Sequence, residues 1–209
     1  MQLDVSLLLG GALAYLLGSI PFGYLIVRFG GGDDIRDRGS GNIGAANVAR
    51  NAGMIAGLLT LFFDAAKGYA AVLIAARLSN ASNAPRWMMA AAIAALVGHM
   101  YPVWLGFKGG KGIATSLGVF LPICREAVLA AVVLWILVVA FWRYSSLGSI
   151  VAAAAMPVFV YLLYAPRHAP PGYITLGTML MAVLVLVKHR ANIERLIAGT
   201  EPPLKTPRL

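Results

Sequence analysis

The feature of this sequence that most constrains its fold is a series of long apolar segments. Six of them approach or exceed the ~20 helical residues that a bilayer crossing requires; they are residues 3–27, 52–76, 87–107, 127–142, 146–164 and 172–187. Lipid offers no hydrogen-bond partners to an open backbone, so such segments should be helical. The chain is 60% hydrophobic and only 12% charged, whereas a soluble domain is about 25% charged. The sequence therefore predicts an all-α integral membrane protein with one domain over residues 1–209.

The distribution of charge decides whether a seventh, shorter apolar run at residues 113–124 also crosses. Residues 188–209 carry five Lys or Arg, whereas the residues before Val5 carry none. Since cytoplasmic segments are rich in basic residues, this asymmetry favours an odd number of crossings. We expect a bundle of seven transmembrane helices, one of them short, with the N-terminus outside and the C-terminus cytoplasmic. The short run should be buried by neighbouring helices or joined to a tilted or re-entrant stretch.

A loop rich in glycine and lysine interrupts the apolar sequence within residues 99–115. Its characteristic positions are Lys108, Gly109, Gly110, Lys111 and Gly112. Glycines allow turns in which backbone N–H groups face a ligand, and two ammonium groups stand beside them. A helix that begins after Gly112 would direct its positive end to the same place. The loop therefore predicts a phosphate site, although an ordinary basic turn between two membrane helices is the alternative.

A second polar cluster at residues 34–50 falls on the same predicted side of the membrane. It contains three glycines, at Gly39, Gly41 and Gly44, together with candidate ligand-binding side chains, which are Ser40, Asn42, Asn47 and Arg50. The planar guanidinium of Arg50 suits phosphate oxygens. Ligand binding is one interpretation of this cluster, and a flexible connector is the other.

Two further clusters lie on that side. The turn at residues 143–149 contains Ser146, whose hydroxyl could either serve a site or cap the next helix. In residues 189–201, His189, Asn192 and Arg195 recur every three residues and would share one face of a helix. His189 could transfer a proton near neutral pH or could act only as a hydrogen-bonding group.

Three titratable residues fall inside apolar segments. Asp64 and Lys67 are three residues apart and should meet on one helix face, as an internal ion pair or as functional groups. His99 lies inside the preceding apolar segment, where it either orients the lysine loop or has a functional role of its own. The only cysteine, Cys124, cannot form a disulfide within the chain.

The clusters narrow the function. They contain no carboxylate pair for glycoside cleavage, no metal-ligand pattern and no Ser-His-Asp signal. The net charge is +9, but the basic residues are spread over short loops, so we expect no binding of nucleic acid. The ligand should be anionic and partly apolar, and the protein is either an enzyme or a carrier of a phosphorylated small molecule or lipid.

Three stretches resemble the signature motifs of the bacterial acyl-phosphate:glycerol-3-phosphate acyltransferase family, the PlsY family. They are residues 39–47, 99–115 and 189–201, and their order and spacing also resemble the family. One departure is Ala46, where the family usually has Thr. The resemblance implies a seven-helix enzyme of the bacterial inner membrane whose active site faces the cytoplasm. It implies transfer of a fatty acyl group from acyl phosphate to the sn-1 hydroxyl of glycerol 3-phosphate, with no metal or other cofactor. We expect a monomer and leave an oligomer open.

Matching of the motifs assigns roles to individual residues. The catalytic residues implied are Ser40, Arg50, Lys111, Ser146, His189 and Asn192. The residues implied to bind phosphate or substrate are Asn42, Asn47, Lys108, Gly109, Gly110 and Gly112. Glu201 is expected to be structural. Since both substrates carry phosphate, the cations are expected to bind the substrate phosphates. We also expect all four clusters to meet around one pocket.

Overall fold

The computed structural model describes residues 5–80, 82–164 and 170–204, and the secondary structure of these residues is entirely helical. The helices are α1 (Val5–Ser19), α2 (Phe22–Phe29), α3 (Ala45–Ala52), α4 (Met54–Leu78), α5 (Ala84–Met100), α6 (Ile113–Phe120), α7 (Arg125–Trp142), α8 (Ser145–Leu163), α9 (Gly172–Lys188) and α10 (Arg190–Ile197). Short 3-10 turns lie at Ile35–Asp37 and Val103–Leu105. The predicted all-α class is confirmed.

Five segments of the described residues are long and apolar enough to cross a membrane. They are Leu7–Phe29, Met54–Leu78, Ala84–Leu105, Arg125–Trp142 and Ser145–Leu163. The pair α9 and α10, bent by 58°, makes a sixth if it counts as one span. The number of seven crossings and the orientation of the termini stay predictions.

Proline breaks two of the apolar segments that the sequence suggested as continuous. The first ends as α1 at Ser19 and resumes as α2 at Phe22. Pro21 lacks an N–H and its ring collides with the preceding helical turn, so an α-helix cannot run through it undisturbed. Likewise, α5 ends at Met100, before Pro102, and a 3-10 turn follows.

Helix α6 is the short seventh run, and it is packed among its neighbours. It begins at Ile113, directly after Gly112, as predicted. Its eight residues rise only about 12 Å, against a hydrocarbon core of about 30 Å. A Cβ at Gly118 would overlap the carbonyl of Ala65 on α4, so the two helices are in backbone contact. The expectation that neighbouring helices bury this run is confirmed.

The chain divides into two compact units, Met1–Ile123 and Cys124–Leu209, which we call the N-terminal unit and the C-terminal unit. In the N-terminal unit, α4 and α5 pack against each other and each also contacts α1 and α6. Small residues allow this close packing: a Cβ at Gly18 would overlap the backbone of Ala95. In the C-terminal unit, α8 packs between α7 and α9. One acyltransferase domain over the whole chain stays a prediction.

Candidate active-site residues

The loop between α2 and α3 is organised around one buried side chain, that of Asn47, which is 2% exposed. Its amide nitrogen lies within hydrogen-bond distance of three carbonyls, those of Ile35, Arg38 and Asn42, at 3.3, 3.0 and 2.8 Å. Its amide oxygen accepts hydrogen bonds from the backbone N–H of Ser40 (3.0 Å) and from the side chain of Asn51 (3.0 Å). The loop is therefore an ordered structure and not the flexible connector that was the alternative interpretation.

These hydrogen bonds give the side chain of Asn47 a structural role in the loop. Both ends of its amide are used within the loop, so the structure does not present Asn47 to a ligand in the way that the sequence suggested. The glycines explain why the loop can close so tightly. Gly39 and Gly41 have φ of +59° and +67°, which favour glycine, and a Cβ at Gly39 would overlap the Asn47 amide oxygen. Gly44 has φ of −78°, so it is not a left-handed position.

Two predicted catalytic side chains, those of Ser40 and Arg50, are among the exposed ones of this region. Ser40 follows Gly39 at the outer edge of the loop, and Arg50 lies in the last turn of α3. The half-buried Asn42 accepts a hydrogen bond from the N–H of Gly44 (2.8 Å), which forms a local turn. Two predicted catalytic groups are thus accessible on a frame that Asn47 holds.

The other charges of this loop largely neutralise one another. Arg36 forms a forked ion pair with Asp34, with contacts of 2.6 to 3.0 Å, and hydrogen bonding to Arg36 holds the pKa of Asp34 below its usual value. Arg38 pairs with Asp33. Across the stretches that the structure covers, no carboxylate pairs with Arg50. Arg50 is therefore the loop cation best placed to bind an external anion.

The lysine loop has a different construction from the one that its sequence suggested. The N–H of Gly109 donates to the carbonyl of Met100 (3.2 Å), and the N–H of Gly110 donates to the carbonyl of His99 (3.1 Å). These amides are therefore engaged by the end of α5, and the expectation that they clamp phosphate is not supported. The loop instead folds back onto α5 and is fixed there.

The two lysines remain the candidate phosphate-binding groups of this loop. Lys108 is exposed and Lys111 is half-buried. Gly112 is buried with φ of +87°, and a Cβ there would overlap the side chain of Leu96. The turn into α6 therefore requires glycine, and α6 begins at Ile113, two residues after Lys111.

The buried charges behind this loop form a cluster. The ammonium of Lys67 lies 2.7 Å from a carboxylate oxygen of Asp64, and Nδ1 of His99 lies 3.6 Å from the same oxygen. The predicted ion pair between Asp64 and Lys67 is confirmed. The contact with His99 was not predicted, although three titratable residues in apolar segments were a signal that could have suggested it.

In the C-terminal unit, the bend between α9 and α10 places His189. Its ring is buried, and Nδ1 lies 2.8 Å from the carbonyl of Val185. A carbonyl only accepts, so Nδ1 carries the proton in this contact and Nε2 is the nitrogen with a lone pair in the neutral ring. That geometry is compatible with proton acceptance at Nε2.

Two side chains of α10 contact the carboxylate of Glu201, which lies in the segment after α10. Asn192 donates to one oxygen of Glu201 (2.7 Å) and Arg195 donates to the other (2.7 Å), so Asn192 and Arg195 do share a face, as predicted. Glu201 is 8% exposed. Burial opposes its ionisation, but interactions with Ser146, Asn192 and Arg195 keep its pKa below the usual value. Glu201 thus supports α10, consistent with the expected structural role.

Ser146 lies in the first turn of α8 beside this carboxylate. Its hydroxyl helps to lower the pKa of Glu201, although no described group meets it at full hydrogen-bond geometry. The suggestion that serines cap α8 is wrong, because Tyr144 occupies the cap position and makes no side-chain cap hydrogen bond. Ser149 instead donates to the carbonyl of Ser145 (2.9 Å).

The chain after α10 returns to the turn between α7 and α8. The N–H of Leu204 donates to the carbonyl of Arg143 (2.6 Å), and the guanidinium of Arg143 donates to the carbonyl of Leu204 (3.3 Å). No sequence pattern predicted this return. It brings Glu201 to Ser146 and Asn192, two of the residues that motif matching singled out.

These observations define an integral membrane protein, with polar groups at its helix ends that suit phosphate. The family model described as glycerol-3-phosphate acyltransferase matches residues 8–199, and the chain belongs to that family. It is 50% identical over 192 residues to the glycerol-3-phosphate acyltransferase of Trichlorobacter lovleyi, covering 92% of this chain and 94% of the relative. It is 46% identical over 196 residues to that of Mesorhizobium japonicum, covering 94% and 95%.

A solved structure is also similar. It is the glycerol 3-phosphate form of PlsY, an integral membrane glycerol 3-phosphate acyltransferase; the TM-score is 0.87 with 37% identity, and 96% of each chain is covered. The lysophosphatidic acid form of PlsY gives a TM-score of 0.85 with 36% identity. The chain is thus an acyltransferase and not the carrier that was the alternative.

Proposed function

We propose that this chain transfers a fatty acyl group from acyl phosphate to the sn-1 hydroxyl of glycerol 3-phosphate. The observation that carries the proposal is the likeness, over 96% of the chain, to PlsY in its glycerol 3-phosphate form. The hydroxyl oxygen attacks the acyl carbonyl, an ester bond forms, the acyl–phosphate bond breaks, and phosphate leaves. The products are lysophosphatidic acid and phosphate.

The reaction places simple demands on the protein. Acyl phosphate is already activated, so the enzyme must hold two anions together, direct one hydroxyl at a carbonyl and neutralise the leaving phosphate. We assign Lys108 and Lys111 to substrate phosphate and Arg50 to a second phosphate. Arg50 and Lys108 are exposed cations, which supports this assignment. Asn42 and Gly112 support the two loops that carry them.

The remaining catalytic assignments concern the reacting atoms. Ser40, Ser146 and Asn192 would orient the hydroxyl and the carbonyl. The hydroxyl proton passes to Nε2 of His189 or to an oxygen of a substrate phosphate. That residues of both units act in one reaction is part of the proposal, and it rests on motif resemblance.

We further propose seven crossings, an external N-terminus and a cytoplasmic active site in the inner membrane of a bacterium. The short crossing would be residues 113–124, of which α6 is the helical part. The bias of basic residues towards one set of loops supports this orientation. Residues 1–4 and 165–169 lie outside the described residues, so the predicted side of the N-terminus is untested.

The experiment that tests the chemistry measures phosphate release by the purified protein in detergent. Release should require both acyl phosphate and glycerol 3-phosphate, with one lysophosphatidic acid formed per phosphate. Acyl-coenzyme A or acyl carrier protein in place of acyl phosphate should give no product. Phosphate release from acyl phosphate alone at the full rate would show a hydrolase and would overturn the proposal.

A further inference from the structure

A buried polar cluster lies behind the lysine loop, within the apolar helices of the N-terminal unit. Its members are Asp64 (1% exposed), Lys67 (5%) and His99 (3%). Asp64 and Lys67 lie on α4, whereas His99 lies on α5. Charges at this depth are costly unless they are paired and are usually retained for a purpose. None of the proposed reaction steps uses these three residues.

The cluster is tied to two backbone irregularities. Lys67 donates a hydrogen bond of 2.7 Å to the carbonyl of Ile20, which lies at the proline break between α1 and α2. The same ammonium lies 2.7 Å from Asp64. Lys67 therefore has two oxygen partners, and one of them is the Asp64 oxygen that also lies near His99.

The second irregularity is the lysine loop itself. The carbonyl of His99 accepts from the N–H of Gly110 (3.1 Å), and the ring of His99 lies against Gly110 so closely that a Cβ there would overlap Nε2. Nδ1 of the same ring is 3.6 Å from Asp64. One imidazole thus contacts the carboxylate on one edge and the loop backbone on the other.

We infer that Asp64 is a positioning residue: through the ring of His99 it fixes residues 108–112, and so sets Lys108 and Lys111 for binding substrate phosphate. This inference rests on the proposed function, in which the two lysines bind phosphate. Interior packing leaves little slack, so a ring that loses its carboxylate contact shifts against Gly110, and the lysines on either side shift with it.

The test uses variants that remove the contact without leaving a lone buried charge. Asp64→Asn combined with Lys67→Gln removes both charges of the pair at nearly constant volume. His99→Phe keeps the ion pair and a ring against Gly110 but loses the contact at Nδ1. Thr60→Val is the matched control. Thr60 is buried on α4, as Asp64 and Lys67 are, and its hydroxyl donates to the carbonyl of Ala56 on that helix.

Two measurements separate positioning from general stability. Hydrogen exchange at the amides of Gly109 and Gly110 reports the loop directly, and steady-state kinetics report KM and kcat. For the double variant and for His99→Phe we expect exchange at these amides about tenfold faster and a KM for one substrate about tenfold higher, with kcat changed less. Amides of α6 and all properties of Thr60→Val should be unchanged.

Each outcome decides the inference. Unchanged loop exchange in the double variant and in His99→Phe overturns it, as does faster exchange with an unchanged KM. If the double variant does not fold, His99→Phe alone decides. A parallel Lys111→Ala variant identifies which claim has failed: if it leaves both kcat and KM unchanged for both substrates, the proposed phosphate role of the lysine is refuted. A raised KM for Lys111→Ala beside unchanged kinetics for His99→Phe refutes only the positioning by Asp64.

Discussion

The side-chain amide of Asn192 donates a hydrogen bond of 2.7 Å to the carboxylate of Glu201. The two residues lie on either side of the end of α10, so the bond folds the tail back onto the helix that precedes it. The pairing of Leu204 with Arg143 then attaches the same tail to the turn between α7 and α8. A predicted catalytic residue, Asn192, is thereby held by the segment that follows α10.

The stability contributed by Glu201 should depend on pH. Its folded-state pKa lies below the ordinary value of 4.5, so the contribution is fully present above that value and is lost as pH falls through the folded-state pKa. Glu201→Gln should lower stability near neutral pH by about 1–3 kcal/mol. Thermal unfolding of the two proteins in detergent measures this, and the gap in Tm should narrow in acid. A gap that is equally large in acid contradicts the account.

Replacement of Asn47 should disorder the loop that carries Ser40. Asn47→Ala removes the side chain that bonds to the carbonyls of Arg38 and Asn42, so these part-buried carbonyls lose their donor at a cost of about 1–3 kcal/mol. We expect a lower Tm and a strong loss of kcat/KM. The matched control is Asn83→Ala, since Asn83 is exposed and makes no side-chain cap. Wild-type activity and Tm in Asn47→Ala would refute the central role of its amide.

Lys111→Ala should lower kcat/KM for acyl transfer by about a hundredfold, because a charge-assisted contact to phosphate is lost. Lys111→Arg should recover part of this loss. Arg77→Ala is the control cation, as Arg77 is exposed in the last turn of α4 on the side predicted to lie outside. Initial rates at varied concentrations of each substrate identify which phosphate is affected. Full acyl transfer by Lys111→Ala would defeat the phosphate-clamp proposal.

The proton acceptor can be identified from the pH–rate profile of His189→Gln. If Nε2 of His189 takes the proton, this variant should lose about 10²–10⁴-fold in kcat and lose the ionisation on the acidic side of the profile. If a substrate phosphate takes it, most of kcat should remain. Thermal unfolding provides the control, since the contact of His189 with Val185 also contributes to the bend between α9 and α10.

Orientation in the membrane can be tested with single cysteines. Cys124→Ser first removes the native thiol, which is buried. A cysteine at Arg125, predicted to lie outside, should react with a membrane-impermeant maleimide added to intact cells. A cysteine at Arg38, predicted to be cytoplasmic, should react only after lysis. Both residues are exposed, so the maleimide should distinguish them only by the side of the membrane on which each lies. Equal labelling of both in intact cells would refute seven crossings.

Much of the fold follows from local signals in the sequence. Apolar length predicted the helices, and a prolyl ring explains why the first segment breaks at Pro21 and why α5 stops before Pro102. The start of α6 after Gly112 was also predictable, because the glycine-lysine loop ends there and an apolar run follows. Each of these preferences depends on a residue and its immediate neighbours, which the sequence presents directly.

The sequence by itself determined which segments are helical, which family the motifs resemble and that the ligand is anionic. Only the tertiary structure decided the partners of particular polar groups. In the tertiary structure Asn47 is buried. The amides of Gly109 and Gly110 donate hydrogen bonds to carbonyls at the end of α5. Lys67 donates a hydrogen bond to the carbonyl of Ile20, 47 positions away. A buried donor or acceptor must find whichever partner the packing brings to it, and packing depends on every helix of the unit at once. No local pattern around Asp64 could therefore specify that its carboxylate would meet His99.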